Sequence, residues 1–472
     1  MRTLDFDYFK NTVNAMRVDR VINRPVGIIG LARSGLAAAK LLKRLGGNPF
    51  VSDAKPESRL EKELAELKEA EIPFETGGHT DKLLEESEYL IVSPGVPKEI
   101  PILERAQEIG IPIFSELEVA SWLCDANLAA VTGSNGKTTT TTLLGRIFET
   151  ARIESTAAGN IGYAFSEVCD RISSRGWIAL EVSSAQLERI FDFHPHIAIV
   201  LNLTPDHLDR YGTFEEYARV KMRVAENLTG VDFLIANADD DYLVQLVQPV
   251  EARKIFFSLE KKLESGIYLE DDKIVFHFGE LQGDLGSRKD LSIPGPHNLY
   301  NAMAAGAAAL AAGVSSDAIK ETFKTFGGVE HRLEYVDTIN GIRYINDSKG
   351  TNIDSVWYAL QSVPENTILI MGGKYKGGEL SRLNELIRQK IKHLILIGEA
   401  AETFHDAYKN IVPVGRAETL EDAVFSAADI GHDGDTVLLS PACASFDMFK
   451  DFEHRGQVFK DAVLKLKARN KE

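Results

Sequence analysis

Gly133-Ser134-Asn135-Gly136-Lys137-Thr138 is the stretch of this sequence best suited to chemistry. It follows an apolar run, Leu128–Thr132, and precedes a helical pattern that starts at Lys137. That strand–loop–helix setting is the one in which a phosphate can be gripped. Glycines let backbone N–H groups turn inward around phosphate oxygens, and the helix N-terminus adds partial positive charge. Lys137 would reach the outer phosphates and the Thr138 hydroxyl would bind Mg²⁺. The general pattern G-x-x-x-x-G-K-[ST] fails at its first position, where Val131 stands. The plainer alternative is a glycine turn beside a solvated lysine, and the surrounding elements favour the nucleotide.

Other residues could join that loop. Glu181 ends the apolar run Trp177–Val182, where a carboxylate can bind a cation near phosphates. His207, in Asn202-Leu203-Thr204-Pro205-Asp206-His207, follows the run Ile197–Leu203. Alone it reads as a histidine satisfied by a loop carbonyl, since oxygen ligands dominate Mg²⁺ sites. Asn298 could cap a helix or read the edge of a base. Lys221, on the helical stretch Phe214–Lys221, reads as a surface lysine by its own residues. Nearer the N-terminus, Gly27-Ile28-Ile29-Gly30-Leu31-Ala32-Arg33-Ser34-Gly35 follows a strand and opens a helix, with Asp53 at the end of the next strand. This is almost a dinucleotide fingerprint, but Ala32 replaces the glycine that permits close approach to a pyrophosphate.

The elements needed to position these residues alternate strand and helix almost throughout, which predicts an α/β chain with largely parallel sheets. Three blocks emerge: residues 1–115, with 1–25 as an N-terminal extension, then 116–328 and 329–472. The first carries strands at Val26–Gly30, Pro49–Asp53 and Tyr89–Ser93, and a helix from Ser34 to about Leu45. The second carries Leu128–Thr132, Trp177–Val182, Ile197–Leu203 and Phe233–Ala236, then an alanine-rich helix, Asn298 to Ala312, that is apolar all round and so buried. The third opens with Leu333–Asp337 and Ile342–Asn346 around Asn340-Gly341, a hairpin signal. It continues with strands at Thr367–Met371, His393–Ile397 and Thr436–Leu439, a small doubly wound domain.

Composition narrows the function classes. In 472 residues, 53 basic against 70 acidic side chains give a net charge of −17, which argues against nucleic-acid binding. No apolar stretch is long enough for a membrane span. Met1 to Arg20 lacks the apolar core of a secretory signal. Three scattered cysteines, Cys124, Cys169 and Cys443, suggest neither disulfides nor zinc, which fits a reducing cytoplasm. Cys443 reads as a small buried residue rather than a nucleophile.

The form Thr132-Gly133-Ser134-Asn135-Gly136-Lys137-Thr138 resembles the Mur ligase superfamily, and in it the D-glutamate-adding branch. Further segments agree, in the family's order, from Val26 to near the C-terminus. The resemblance implies three domains: a Rossmann-like N-terminal domain, a central P-loop ATPase-like domain with a parallel sheet, and a Rossmann-like C-terminal domain. It implies a cytoplasmic, monomeric, ATP-dependent ligase that joins D-glutamate to UDP-N-acetylmuramoyl-L-alanine through an acyl phosphate.

Site residues follow by the same resemblance. Gly133 to Thr138, Thr139, Asn298, Asn301, Arg332 and Asp347 are expected at ATP, the last two in His331-Arg332-Leu333-Glu334 and Asp347-Ser348-Lys349-Gly350-Thr351-Asn352. Lys137, Glu181, His207 and Lys221 are expected to be catalytic. Thr138, Glu181, His207 and Lys221, the lysine as a CO₂-derived carbamate, would hold two Mg²⁺ ions. Arg33, Ser34, Gly35, Asp53, Pro94, Gly95, Asn160 and His207 would face the UDP substrate. Thr351, Ser445, Phe446 and Phe452 would surround D-glutamate with one lysine of Gly372-Gly373-Lys374-Tyr375-Lys376, Lys376 by register. A folylpolyglutamate synthase or another Mur ligase, a nucleotide-dependent switch protein and a nicotinamide oxidoreductase are the rival readings. The Ser440-Pro441-Ala442-Cys443-Ala444-Ser445 segment argues against the first.

Overall fold

Apolar runs bounded by glycine turns become strands buried on both faces, the signature of parallel sheets covered by helices. The structure is a computed structural model that describes residues 19–293 and 295–469. Residues 1–18 of the N-terminal extension lie outside the described residues. The chain forms two compact units, one ending at Asp290 and resuming over Tyr300–Lys324, the other made of Leu291–Leu299 and the chain from Thr325 onward.

The first unit holds two sheets. Strands β1 (Pro25–Ile29), β2 (Asn48–Asp53), β3 (Phe74–Thr76), β4 (Tyr89–Val92) and β5 (Ile113–Ser115) form a five-stranded parallel sheet in the order β3-β2-β1-β4-β5. The second sheet contains β6 (Asn127–Thr132), β7 (Ser155–Gly159), β8 (Trp177–Glu181), β9 (Ile197–Val200), β10 (Phe233–Asn237), β11 (Arg253–Ser258), β12 (Gly266–Glu270), β13 (Lys273–Phe278) and β14 (Leu281–Ser287). Its order is β14-β13-β12-β11-β10-β9-β6-β8-β7. The phosphate-loop strand β6 lies between β8 and β9, so the ends of all three meet at one edge. Ligands of open parallel sheets bind at such an edge, outside the strands' carboxyl ends.

The sequence suggested a largely parallel second sheet, and the structure adds an antiparallel meander over β12, β13 and β14. Strand β9 is also shorter than expected, stopping at Val200. The next residues turn toward the phosphate loop: Leu201 N–H bonds Thr132 O, and Ser134 N–H bonds Asn202 O. The alanine-rich helix spans Pro296–Ala311, and Ala302, Ala305 and Ala308 are fully buried, as its all-round apolar pattern predicts.

The second unit carries β15 (Glu334–Ile339), β16 (Ile342–Asn346), β17 (Thr367–Gly372), β18 (Ile391–Ile397), β19 (Val414–Arg416) and β20 (Thr436–Leu439), in the order β15-β16-β20-β17-β18-β19. The β15–β16 pair is antiparallel, with Asn340 at φ 51° and Gly341 at φ 75° in the connection, the backbone that an Asn-Gly hairpin demands. The remaining pairs are parallel. The α/β class read from the sequence therefore holds in all three sheets.

Candidate active site

The helix Lys137–Thr150 starts directly from the phosphate loop, with Gly136 as its N-cap at φ 86°. A left-handed cap there needs glycine. A second constraint acts on the same residue, since an added Cβ would lie 2.2 Å from Asn301 Oδ1. The loop is held from behind by Asn202, whose Oδ1 accepts from Asn135 N–H at 2.9 Å and whose Nδ2 donates to Asn135 O at 3.1 Å. Ser134 Oγ donates to Thr204 O at 2.9 Å and accepts from Tyr217 Oη at 3.3 Å. Lys137 Nζ donates to Gly133 O and Ser134 O, both at 2.8 Å, so the ammonium is folded onto its own loop. Thr138 and Thr139 are buried behind it.

Glu181 and Lys221 are both buried at this edge. Glu181 Oε1 accepts from Asn160 Nδ2 at 2.8 Å, and its Oε2 is buried with no hydrogen-bond partner within the described protein. A buried carboxylate oxygen left open in this way is costly unless something positive meets it. Glu181 Oε2, the Thr138 hydroxyl and the neighbouring acid Asp206 are oxygen donors of the type Mg²⁺ prefers, so the residues fit such an ion.

Lys221 overturns its residue-level reading as a surface lysine. It sits on the inward face of the helix Phe214–Met222, beside the buried Tyr217, Ala218 and Val220, and is itself 2% exposed. Its Nζ lies 4.7 Å from the centre of the Tyr217 ring. Burial, reinforced by the nearby Lys137 charge, pushes the amine well below the usual lysine range, against the opposing pull of Asp206 and Glu181. A neutral lysine is a nucleophile. His207 is half-exposed, in a left-handed conformation at φ 52°, with Nε2 3.8 Å from Asp206.

The first glycine turn is built more tightly. Asp53 Oδ2 accepts from Leu31 N–H at 2.6 Å and its Oδ1 from Lys55 N–H at 2.7 Å. Ser93 Oγ donates to Gly30 O at 2.8 Å. A Cβ on Gly35 would lie 2.0 Å from Gly30 O, so helix and turn touch only because Gly35 has no side chain. Ser34, Pro94 and Gly95 lie at this turn and on the loop after β4, partly open to solvent. Arg33 is expected beside the diphosphate, and here its Nη1 donates to Gly162 O at 2.8 Å and Nη2 to Gly159 O at 3.2 Å. The turn so gripped carries Asn160, hence Glu181. Arg33 thus links the first sheet's turn to the second sheet's carboxylate.

In the second unit, Asp347 is buried, accepting from Ser440 Oγ at 2.7 Å and Leu333 N–H at 3.2 Å. Burial raises it to about 6, although Arg332 opposes the rise. Arg332 stands between two non-glycine residues of positive φ, His331 at 62° and Leu333 at 43°. Asn298 is buried on the first turn of its helix. Thr351 and Phe452 are half-buried, Ser445 is 2% exposed, and Phe446 is 71% exposed. Lys374 and Lys376 are both exposed, with Lys374 N–H paired to Ala444 O at 2.9 Å and the Lys376 charge felt at Cys443. Cys443 is buried and its thiol pushed up to about 12, which suits packing and not nucleophilic attack.

Sequence reasoning missed Asn202, Asp206 and Tyr217 as site-builders, although the first two stand in the segment quoted for His207. It also missed Arg455, a fully buried arginine of the second unit. In the sequence its one signal is its place in Phe449–Gly456, the continuation of the Ser445 segment, where it was given no role.

Three family profiles match. Residues 24–115 match the Mur ligase MurD-like N-terminal domain, 131–309 the Mur ligase middle domain, and 331–443 the Mur ligase glutamate ligase domain. The chain is 40% identical over 452 residues to a UDP-N-acetylmuramoylalanine–D-glutamate ligase from Koribacter versatilis (strain Ellin345), covering 96% of this chain and 100% of that one. It is 41% identical over 444 residues to the ligase of the same name from Alkaliphilus oremlandii (strain OhILAs), covering 93% and 98%. The fold is shared with a solved UDP-N-acetylmuramate–alanine ligase from Thermotoga maritima, at TM-score 0.61 and 19% identity over 94% of this chain and 100% of that one.

Proposed function

The chain belongs to the Mur ligase family, among the UDP-N-acetylmuramoylalanine–D-glutamate ligases, and on that premise we propose that it joins D-glutamate to UDP-N-acetylmuramoyl-L-alanine at the expense of ATP, as a step of peptidoglycan precursor synthesis. The L-alanine carboxylate attacks the γ-phosphate of ATP, ADP leaves, and the resulting acyl phosphate is attacked by the amine of D-glutamate. Phosphate leaves as the amide forms. The geometric observation that carries this reading is the strand-edge cluster in which Lys137, the open Glu181 oxygen and the buried Lys221 surround one phosphate loop.

Each residue has a task in this scheme. Backbone N–H groups of Gly133 to Thr138, with Thr139 behind them, cradle the phosphates, and Lys137 leaves its loop carbonyls to meet the outer ones. Asn301, packed on Gly136, supports the adenine end together with Asn298. Arg332 and Asp347 serve the same nucleotide from the third domain. Thr138, Glu181, His207 and a carbamylated Lys221 would hold two Mg²⁺ ions. When bound, these neutralise charge building on the transferring phosphoryl group. An uncharged amine is the form that takes up CO₂, and the burial that pushes Lys221 toward that form supports the carbamate.

Residues 1–115, 116–328 and 329–472 then serve the UDP substrate, ATP and D-glutamate in turn. Arg33, Ser34, Gly35, Asp53, Pro94, Gly95, Asn160 and His207 face the UDP substrate, and Thr351, Lys376, Ser445, Phe446 and Phe452 face D-glutamate. Both substrates are soluble, and the enzyme works as a cytoplasmic monomer. Among the described residues no helix is long and apolar enough to cross a membrane.

The test is phosphate release from ATP with Mg²⁺ and UDP-N-acetylmuramoyl-L-alanine, with D-glutamate, L-glutamate or no amino acid. Release matched by a new amide, with D-glutamate alone, is the expected result. Release indifferent to D-glutamate discards the substrate assignment.

A further inference from the structure

Arg455 lies in the first turn of the helix Phe452–Arg469 and is 0% exposed. Its guanidinium hydrogen-bonds two loops and lies beside a third. Nε donates to Ser348 Oγ at 2.9 Å, Nη2 to Ser348 O at 2.7 Å and Nη1 to Cys443 O at 3.1 Å. The third loop is met at Gly373, where an added Cβ would lie 3.3 Å from Arg455 Nη1 and 2.4 Å from Ala444 O. The loops are also stitched to one another: Ala442 N–H bonds Gly350 O at 2.9 Å, and Lys374 and Ala444 exchange backbone bonds at 2.9 and 3.0 Å. One residue past these contacts stand Thr351 and Ser445, and Lys376 follows Lys374 by two.

A buried arginine is ordinarily matched by a carboxylate, because an uncompensated buried charge is expensive. Among the described residues Arg455 makes no ion pair, and its partners are a hydroxyl and two carbonyls. Burial draws its pKa down to about 10, against the opposing pull of Cys443, Asp447 and Asp347. These neutral partners leave positive potential beneath the place where the three loops converge, and in a poorly solvated interior such a charge is felt beyond contact distance. Fork geometry explains why arginine stands here, since a lysine cannot hold two carbonyls and a hydroxyl in fixed directions.

We propose that Arg455 is a positioning residue for the amino-acid substrate, locking the three loops in one register and attracting a dicarboxylate from below without touching it. The proposal rests on the D-glutamate reading above and deepens it. Its test is steady-state kinetics on the full chain for wild type, Arg455→Met and Arg455→Lys, with KM measured separately for D-glutamate, ATP and the UDP substrate. Arg455→Met, which keeps bulk and loses charge and fork, is expected to raise KM for D-glutamate at least about tenfold. The other two KM values stay within about twofold and kcat falls less than about threefold. Arg455→Lys, which keeps the charge, is expected to fall between wild type and Arg455→Met. A merely structural role would raise all three KM values together, and that result, or an unchanged D-glutamate KM, overturns the proposal. Should Arg455→Met fail to fold, Arg455→Lys decides on the same criterion: a selective rise in the D-glutamate KM supports the proposal and an unchanged one overturns it. Wild-type protein indifferent to D-glutamate shows itself before any variant is compared, and rejects the function reading and this proposal together.

Discussion

The Gly30–Gly35 turn and the Gly133–Thr138 loop both carry the chain from a buried parallel strand into a helix, yet their polar groups are disposed in opposite ways. In the first, Asp53 takes the N–H of Leu31 and Ser93 takes the carbonyl of Gly30, so much of the turn's own backbone is committed. The arginine beside it reaches to the carbonyls of Gly159 and Gly162. In the second, the Asn202 side chain and the Thr204 backbone support the loop from behind, while Lys137 folds over its front and the Glu181 oxygen is left open nearby. A shared glycine turn therefore sets where a ligand's phosphates can sit. The surrounding acids, amides and lysines decide which chemistry follows. On the proposed reading, the open loop serves a phosphoryl group in motion, and the closed turn one that stays intact.

The largest expected effect separates the two turns outright. Lys137→Ala should cut D-glutamate-dependent phosphate release about a thousandfold, the scale of losing a preorganised charge at a transferring group, with little change in affinity for the UDP substrate. Lys221→Ala should cost about a hundredfold, with activity partly returning when a small carboxylate such as formate is added. Full activity of the unrescued variant would remove the carbamate from the account. The same lysine predicts a pH dependence of stability in bicarbonate-free buffer. Folded Lys221 gives up its proton more readily than the unfolded chain, so stability should rise with pH until the unfolded value of 10.5 is passed. Lys221→Met should flatten that rise in denaturant midpoints.

Smaller effects probe the closed turn. Gly35→Ala should destabilise the protein by about 2 kcal/mol, as an overpacked contact against Gly30 O requires, while Gly95→Ala, which meets nothing within 4 Å, should be tolerated. Arg33→Ala should weaken the UDP substrate about tenfold, or ~1.4 kcal/mol. Because Arg33 also steadies the turn bearing Asn160, kcat should fall with it; a change in KM alone would confine Arg33 to the substrate.

The two turns were also unequally legible in the sequence. Strands flanking them are continuous apolar runs ended by glycine, and β1, β2, β6 and β8 fall within a residue of their sequence-based bounds. Strands β12 to β14 were not foreseen, because Lys273, Glu280 and several glycines dilute their alternation and the sheet closes by antiparallel hairpins. Three-residue edge strands such as β3, β5 and β19 carry too little pattern to register. Among site-building residues, the phosphate loop was legible from its strand–loop–helix setting, although Val131 breaks the general spacing pattern. The burial of Lys221 was not, since its helix is rich in charge and only tertiary packing turns that one face inward. Arg455 escaped for the same reason: a buried cation with neutral partners leaves no pattern along the chain.

The most direct test of the division between the turns is calorimetric titration of wild type and Lys137→Ala, each with ATP–Mg²⁺ and separately with UDP-N-acetylmuramoyl-L-alanine. The account predicts that Lys137→Ala loses ATP binding and keeps that of the UDP substrate within about twofold. ATP affinity unchanged in Lys137→Ala, or both ligands lost together from a folded protein, would contradict it.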